Sequence, residues 1–248
     1  MYKENDMSDN KELDIYDDME ESGYDKMGGD KFTIPLLLIA GPTSGVIAQG
    51  NDTGIKMGDW YNSITKESYG PEIEVVPCYF DEAWYEWKPN LGGLVGVHAP
   101  NSIKVKGDVY TGMTNADGND IIDTWIYYVL IKGREDEGML KLAVTSTGIK
   151  YAKIWNGLAH DYRLASGKRA PLFSQYWKLT LEKNTEGKNT WFIFGKGSSA
   201  NIKHAGQVPP QVYLDYIKPV REIAPQLTLK IDQQENNQLA IEDNTDKY

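Results

Sequence analysis

Three histidines, one cysteine and several acidic clusters are the residues of this chain whose chemistry would matter first. His98, His160 and His204 are scattered, with no Cys or His at metal-ligand spacing. Cys78 follows a strand-like run beside Pro77, with no helix start to lower its pKa, and reads as a small core residue. Gly195-Lys196-Gly197-Ser198-Ser199 invites a phosphate-loop reading, but Thr190 stands where the earlier glycine is needed. Asn115, Asp117, Asn119 and Asp120 around Gly118 resemble a calcium loop without its terminal glutamate, because Ile126 falls there; a hairpin turn is the better reading. Asp81, Glu82 and Glu86 offer acid and base, yet carboxylates beside tryptophans are ordinary on surfaces. No set of residues amounts to a catalytic constellation or a cofactor motif, so the expectation is a binding protein and not an enzyme.

A different pattern occupies residues 148–204. Ten cations lie there (Lys150, Lys153, Arg163, Lys168, Arg169, Lys178, Lys183, Lys188, Lys196 and Lys203) against Asp161, Glu182 and Glu186. Nine aromatics are interleaved with them, from Tyr151 to Phe194. Single-stranded nucleic acid calls for this combination: cations neutralise phosphates and flat rings stack unpaired bases. Lys150, Lys153, Lys178, Lys183 and Lys196 are the expected phosphate contacts. Tyr176, Trp177, Trp155 and Trp191 are the stacking candidates, Trp155 being the one most readily placed in a core. Alternation along a strand puts Trp177 with Leu179 on one face and Tyr176 with Lys178 on the other, so the second pair is expected to face outward. The competing explanation is that aromatics fill strands and cores whatever the function, and that lysines guard a sheet edge.

The elements that must carry these residues follow from the pattern. Residues 32–39, 73–88, 123–132, 139–145, 173–182 and 190–194 read as strands, with Gly133–Gly138 as the turn of a hairpin. Ile149, Ala152, Lys153, Trp155, Asn156, Ala159 and Tyr162 carry helical spacing, with Ser146 or Thr147 as N-cap and Gly167 as the stop. Gln211 to Ile223 reads as a second helix ended by Pro225, with a short strand from Leu227 to Ile231. The expected class is mainly β with a few helices (α+β), an OB-like small barrel with decorations. A β-sandwich is the alternative.

Residues 1–31 carry eleven acids against four lysines, and residues 232–248 carry five acids against Lys247. Neither can bury enough apolar surface to order itself, so both read as acidic disordered tails around one domain, 32–231. The formal charge of −10 therefore describes the tails, and the domain is close to neutral. A single cysteine and the lack of a signal peptide or membrane span fit the cytoplasm.

Four segments together resemble a group of tailed-bacteriophage proteins. They are Ile34-Pro35-Leu36-Leu37-Leu38; Gly58-Asp59-Trp60-Tyr61-Asn62-Ser63 with Val75-Val76-Pro77; Trp84-Tyr85-Glu86-Trp87; and Thr145-Ser146-Thr147-Gly148-Ile149-Lys150 running to Trp155-Asn156. Some members look like phage single-stranded DNA-binding proteins of the OB type with acidic C-terminal tails. The resemblance implies sequence-independent binding of single-stranded DNA during phage replication or recombination, in the cytoplasm of the infected bacterium. It also implies contacts with phage or host replication and recombination proteins through the acidic tail. Self-association into a homo-oligomer stays open. The alternative function is a phage structural or host-interaction (counter-defence) protein that does not bind DNA.

Overall fold

The computed structural model describes residues 33–48, 53–109, 112–187, 189–195 and 201–227. Both acidic tails lie outside these residues, and so do Lys188, Lys196 and the rest of the glycine-serine loop that follows Gly195.

Two long strands organise the fold. β4 (Glu72–Trp87) and β8 (Asp120–Ile131) pair antiparallel from Val75↔Ile131 to Trp87↔Asp120. Their Val, Ile, Tyr and Trp content suits a pleated surface buried on both sides. The earlier strands are short: β1 (Leu37–Ile39), β2 (Trp60–Asn62) and β3 (Ser68–Gly70) form a separate three-stranded sheet. β1 begins only after Pro35, which cannot donate to a ladder. α1 (Gly45–Ala48) interrupts the loop that follows it.

β4 is shared between neighbours. β10 (Gln175–Glu186) pairs with its first residues, Glu72 to Val75, and β5 (Leu94–His98) pairs with its last residues. A bulge between Pro77 and Tyr79 separates the two regions and shifts the side-chain alternation by one residue. β9 (Leu140–Thr145) and the small hairpin β6 (Lys106–Asp108)–β7 (Gly112–Thr114) extend the sheet beyond β8. β11 (Asn189–Phe194) and β12 (Ile202–Gln207) extend it beyond β10. Strand content and the curled, half-barrel sheet of β1, β2 and β3 place the chain in the α+β class, consistent with an OB-like small barrel.

Each face of the large sheet has its own cover. On one face α2 (Ile149–Asp161) buries Ala152, Trp155 and Ala159 against Tyr127, Val144, Trp177 and Phe194, and Ile149 is buried at its start. On the other lie α3 (Pro210–Val212), a π-helical turn (Tyr213–Ile217) and α4 (Lys218–Leu227). Ile217, Val220 and Ala224 meet Val76, Tyr85, Tyr128 and Tyr176 there.

The elements differ from expectation in several places, the short strands β2, β3, β5, β6 and β7 among them. α2 ends at Asp161 instead of Gly167, because Tyr162 is extended and residues 162–170 fold back as a tight hairpin. Its N-cap is Gly148, while Ser146 and Thr147 belong to a 3-10 turn. α4 runs through Pro225 to Leu227, with Val220 and Ala224 buried, and the rest of the strand expected from Leu227 to Ile231 lies outside the described residues. β12 escapes the pattern because Ile-Lys-His-Ala-Gly-Gln has a single strong strand former.

Candidate nucleic-acid interface

The expected site residues separate into core and surface. Trp155 is fully buried, with its ring stacked on Tyr127 at 4.8 Å and 27°. Trp177 is 3 % exposed and lies edge-on to His204 and Tyr162. Tyr176 is also 3 % exposed, and its hydroxyl donates to Glu135 Oε1 at 2.5 Å. Burial and the Glu135 carboxylate push the Tyr176 hydroxyl pKa upward. In this fold none of these three rings has a face to offer a base, which corrects the expectation for Trp155, Tyr176 and Trp177. The alternation was read rightly, since Trp177 and Leu179 do share a face. The inference that Tyr176 looks outward failed because the C-terminal helices cover that side of β10 too.

The lysines divide similarly. Lys178 forms an ion pair with Glu72, which raises its pKa, and is therefore not a free phosphate contact. Lys183 is exposed on the β10–β11 hairpin opposite Phe192. Trp191 is half-buried on the same hairpin, opposite Asn184. Phe192 packs tightly on Gly58, where an added Cβ would come within 2.7 Å of the ring. Lys150 and Lys153 are exposed, one turn apart on α2. Lys196 lies outside the described residues.

Around the two α2 lysines the fold assembles a strip that the sequence did not reveal. The Lys153 ammonium sits 5.8 Å from the ring of Trp125, and Phe80 meets that ring edge-on at 5.5 Å. The Lys150 ammonium lies 4.8 Å from the ring of Tyr151, and Gly195 at the end of β11 packs against Tyr151. Phe80, Trp125 and Tyr151 are half-buried, in contrast to the buried Trp155, Tyr176 and Trp177. The strip thus runs from β4 and β8 across the first turns of α2 to the end of β11. Cations beside partly exposed rings can neutralise phosphates and stack bases at one place. Phe80 and Trp125 were legible as strand formers, but only the β4–β8 register sets them side by side under α2.

Carboxylates border this strip. Asp123, two residues before Trp125 on β8, has one carboxyl oxygen buried without a partner. Burial and the neighbouring Glu82 raise its pKa from 3.8 to about 6, against the pull of Lys153. A carboxyl whose folded pKa is raised penalises the folded state. The penalty is absent below pH 3.8, grows as the pH rises, and is complete above about 6. The shift sets a ceiling near 3 kcal/mol, and solvent screening at a partly exposed group reduces it to about 1 kcal/mol. Asp123→Asn is therefore expected to raise the urea midpoint at pH 8 and leave it unchanged near pH 4. Equal midpoints for variant and wild type at pH 8 would contradict this.

Other chemical centres are structural. Cys78 is buried, and burial pushes its thiol up to about 12. The Asn115–Asn119 segment is a hairpin turn in which Asn115 Oδ1 accepts from the N–H groups of Asp117 and Asn119. Among the described residues no group of three or more His, Cys, Asp and Glu is placed to hold a metal ion. None of their helices is long and apolar enough to cross a membrane. A pocket of about 230 Å³ on the other sheet face is mostly aliphatic and aromatic, with Lys141 its one cation.

A family model described as Pam3 phage gp34-like protein matches residues 3–214. The chain belongs to this family. The Pam3 phage gp34-like match spans α2, the two long strands and the hairpin that carries Lys183 and Trp191, so every element of the strip lies inside the family's shared region. No curated protein and no solved structure matches the chain. The tailed-phage resemblance thus stands at the level of a phage protein family.

Proposed function

We propose that this member of the family is a sequence-independent single-stranded DNA-binding protein, acting without catalysis in phage DNA replication or recombination. One observation carries the reading: Lys153 lies over the half-buried Trp125 ring, which Phe80 braces edge-on, with Lys150 and Tyr151 one turn away. Phosphate neutralisation and base stacking are thereby available within a few ångströms on a rigid helix–sheet surface. The charge segregation of residues 148–204 supports the same reading, and Lys183 and Trp191 extend it onto the hairpin. A phage protein of this kind would work in the cytoplasm of the infected bacterium. Its acidic C-terminal tail would reach replication or recombination proteins.

The test is tryptophan fluorescence of the full chain during titration with oligothymidine at about 50 and 200 mM salt, against duplex of equal length. Strong, salt-sensitive quenching by the single strand, with weak duplex binding, is expected. Lys150→Glu with Lys153→Glu is expected to weaken binding at least about tenfold and to flatten the salt dependence by about two contacts. Deleting residues 232–248, which lie outside the described residues, is expected to tighten binding by removing a competing polyanion. Absence of any response at low salt, with and without the tails, would overturn the reading. A structural or host-interaction role without DNA would then lead.

A further inference from the structure

The exposed side of α2 carries a regular series. Lys150, Lys153, Gly157 and His160 succeed one another at helical spacing, and all four are exposed. The series continues past the helix. Arg163 Nη1 donates to the carbonyl of His160 at 3.1 Å, which holds that guanidinium at the last turn. The chain then returns in the hairpin of residues 162–170, with Leu164 N–H bonded to Lys168 O and Ala170 N–H to Tyr162 O. Arg163 and Arg169 are direct partners across it, and both are exposed together with Lys168.

Two features of this series work against the fold taken alone. Like charges directly opposite one another in an antiparallel pair repel. Among the described residues neither Arg163 nor Arg169 makes an ion pair, and the nearby Asp161 is turned to His160 at 3.1 Å. The second feature is Gly157. A glycine inside a helix is less favourable than alanine. Gly157 has helical geometry, and an added Cβ there would meet nothing within 4 Å. Neither packing nor backbone conformation asks for glycine, whereas close approach of a ligand to the helix backbone does.

We propose that this stripe is a phosphate track. The sugar–phosphate backbone of single-stranded DNA runs along the exposed side of α2, from Lys150 over Gly157 to the opposed arginines, which grip a phosphate between them. The inference rests on the single-stranded DNA reading and extends it to residues which that reading leaves unused. Guanidinium forks match phosphate oxygens in pairs, so an intervening phosphate turns the Arg163–Arg169 repulsion into two attractions. At Gly157 the missing side chain lets the strand lie against the helix. At 1.5 Å per residue α2 is about 20 Å long, enough for several phosphates of one strand.

The test compares three full-length chains, wild type, Arg163→Ala with Arg169→Ala, and Gly157→Ala, by anisotropy of a labelled oligothymidine over a salt series and by thermal melting. The arginine variant is expected to bind about tenfold more weakly at low salt, with a log–log salt slope smaller by about 1.4, or 0.7 per lost contact. Gly157→Ala is expected to melt at a higher temperature and yet bind several-fold more weakly, a combination that unfolding cannot produce. Wild-type affinity and slope in the arginine variant would overturn the track while leaving the DNA-binding reading intact. Undiminished affinity in a stabilised Gly157→Ala would remove the strand from the middle of α2. Failure of the wild-type chain to bind at low salt would overturn both.

Discussion

Trp155→Ala is expected to lower the stability of this chain by about 3–5 kcal/mol, the range for deleting a large buried aromatic. Trp155 has no exposed surface; Tyr127 stacks on it and Phe194 meets it edge-on at 6.2 Å. Those neighbours belong to β8 and β11, whose ladders limit how far the walls can close on the cavity. Ile149 and Ala159 anchor α2 on both sides, so the helix cannot settle inward. Urea denaturation followed by circular dichroism measures the loss. A change under about 1 kcal/mol would mean the ring is far less tightly packed than its burial indicates, and would reopen Trp155 as a stacking residue.

Glu86→Leu is expected to cost about 3 kcal/mol, because one buried carboxylate closes one end of the sheet. Glu86 is 7 % exposed on β4. Its Oε1 accepts from the side-chain amides of Asn115 and Asn119, both at 2.6 Å, and its Oε2 meets His98 Nε2 at 2.6 Å. These bonds join β5 and the β7–β8 turn to β4. The Asn119 bond, followed by those from His98 and Asn115, lowers the Glu86 pKa below 4.5 against the opposing effect of burial. A lowered carboxyl pKa contributes stability that is full above 4.5 and is lost as the pH falls through the folded value. Wild type and variant should therefore differ most at neutral pH and converge in acid. A gap that stayed constant down to pH 3 would assign the loss to packing and not to the carboxylate.

Both residues show why the site was harder to read than the fold. Glu86 lies among Trp84, Tyr85 and Trp87, a run that marks a strand but says nothing of the two asparagines it will meet about thirty positions later. Trp155 carries two signals at once, an aromatic among lysines and a member of a helical stripe. The stripe decides, because Ala152, Trp155 and Ala159 share the side of α2 that faces the sheet.

From the sequence alone follow the local elements and their chemistry: β4 and β8 from runs of β-branched and aromatic residues, the β8–β9 hairpin from Gly133 and Gly138, α2 from its period, and the concentration of cations between residues 148 and 204. These depend on propensity and spacing within a few residues. What tertiary structure decided is which rings and cations keep a surface. Tyr176 looked outward by alternation, yet the C-terminal helices bury it, and Lys178 is spent on Glu72. Phe80 came beside Trp125, the ring under Lys153, through a ladder joining residues some forty-five positions apart. Exposure depends on what packs against each sheet face, and that is set by long-range contacts to which periodicity is blind.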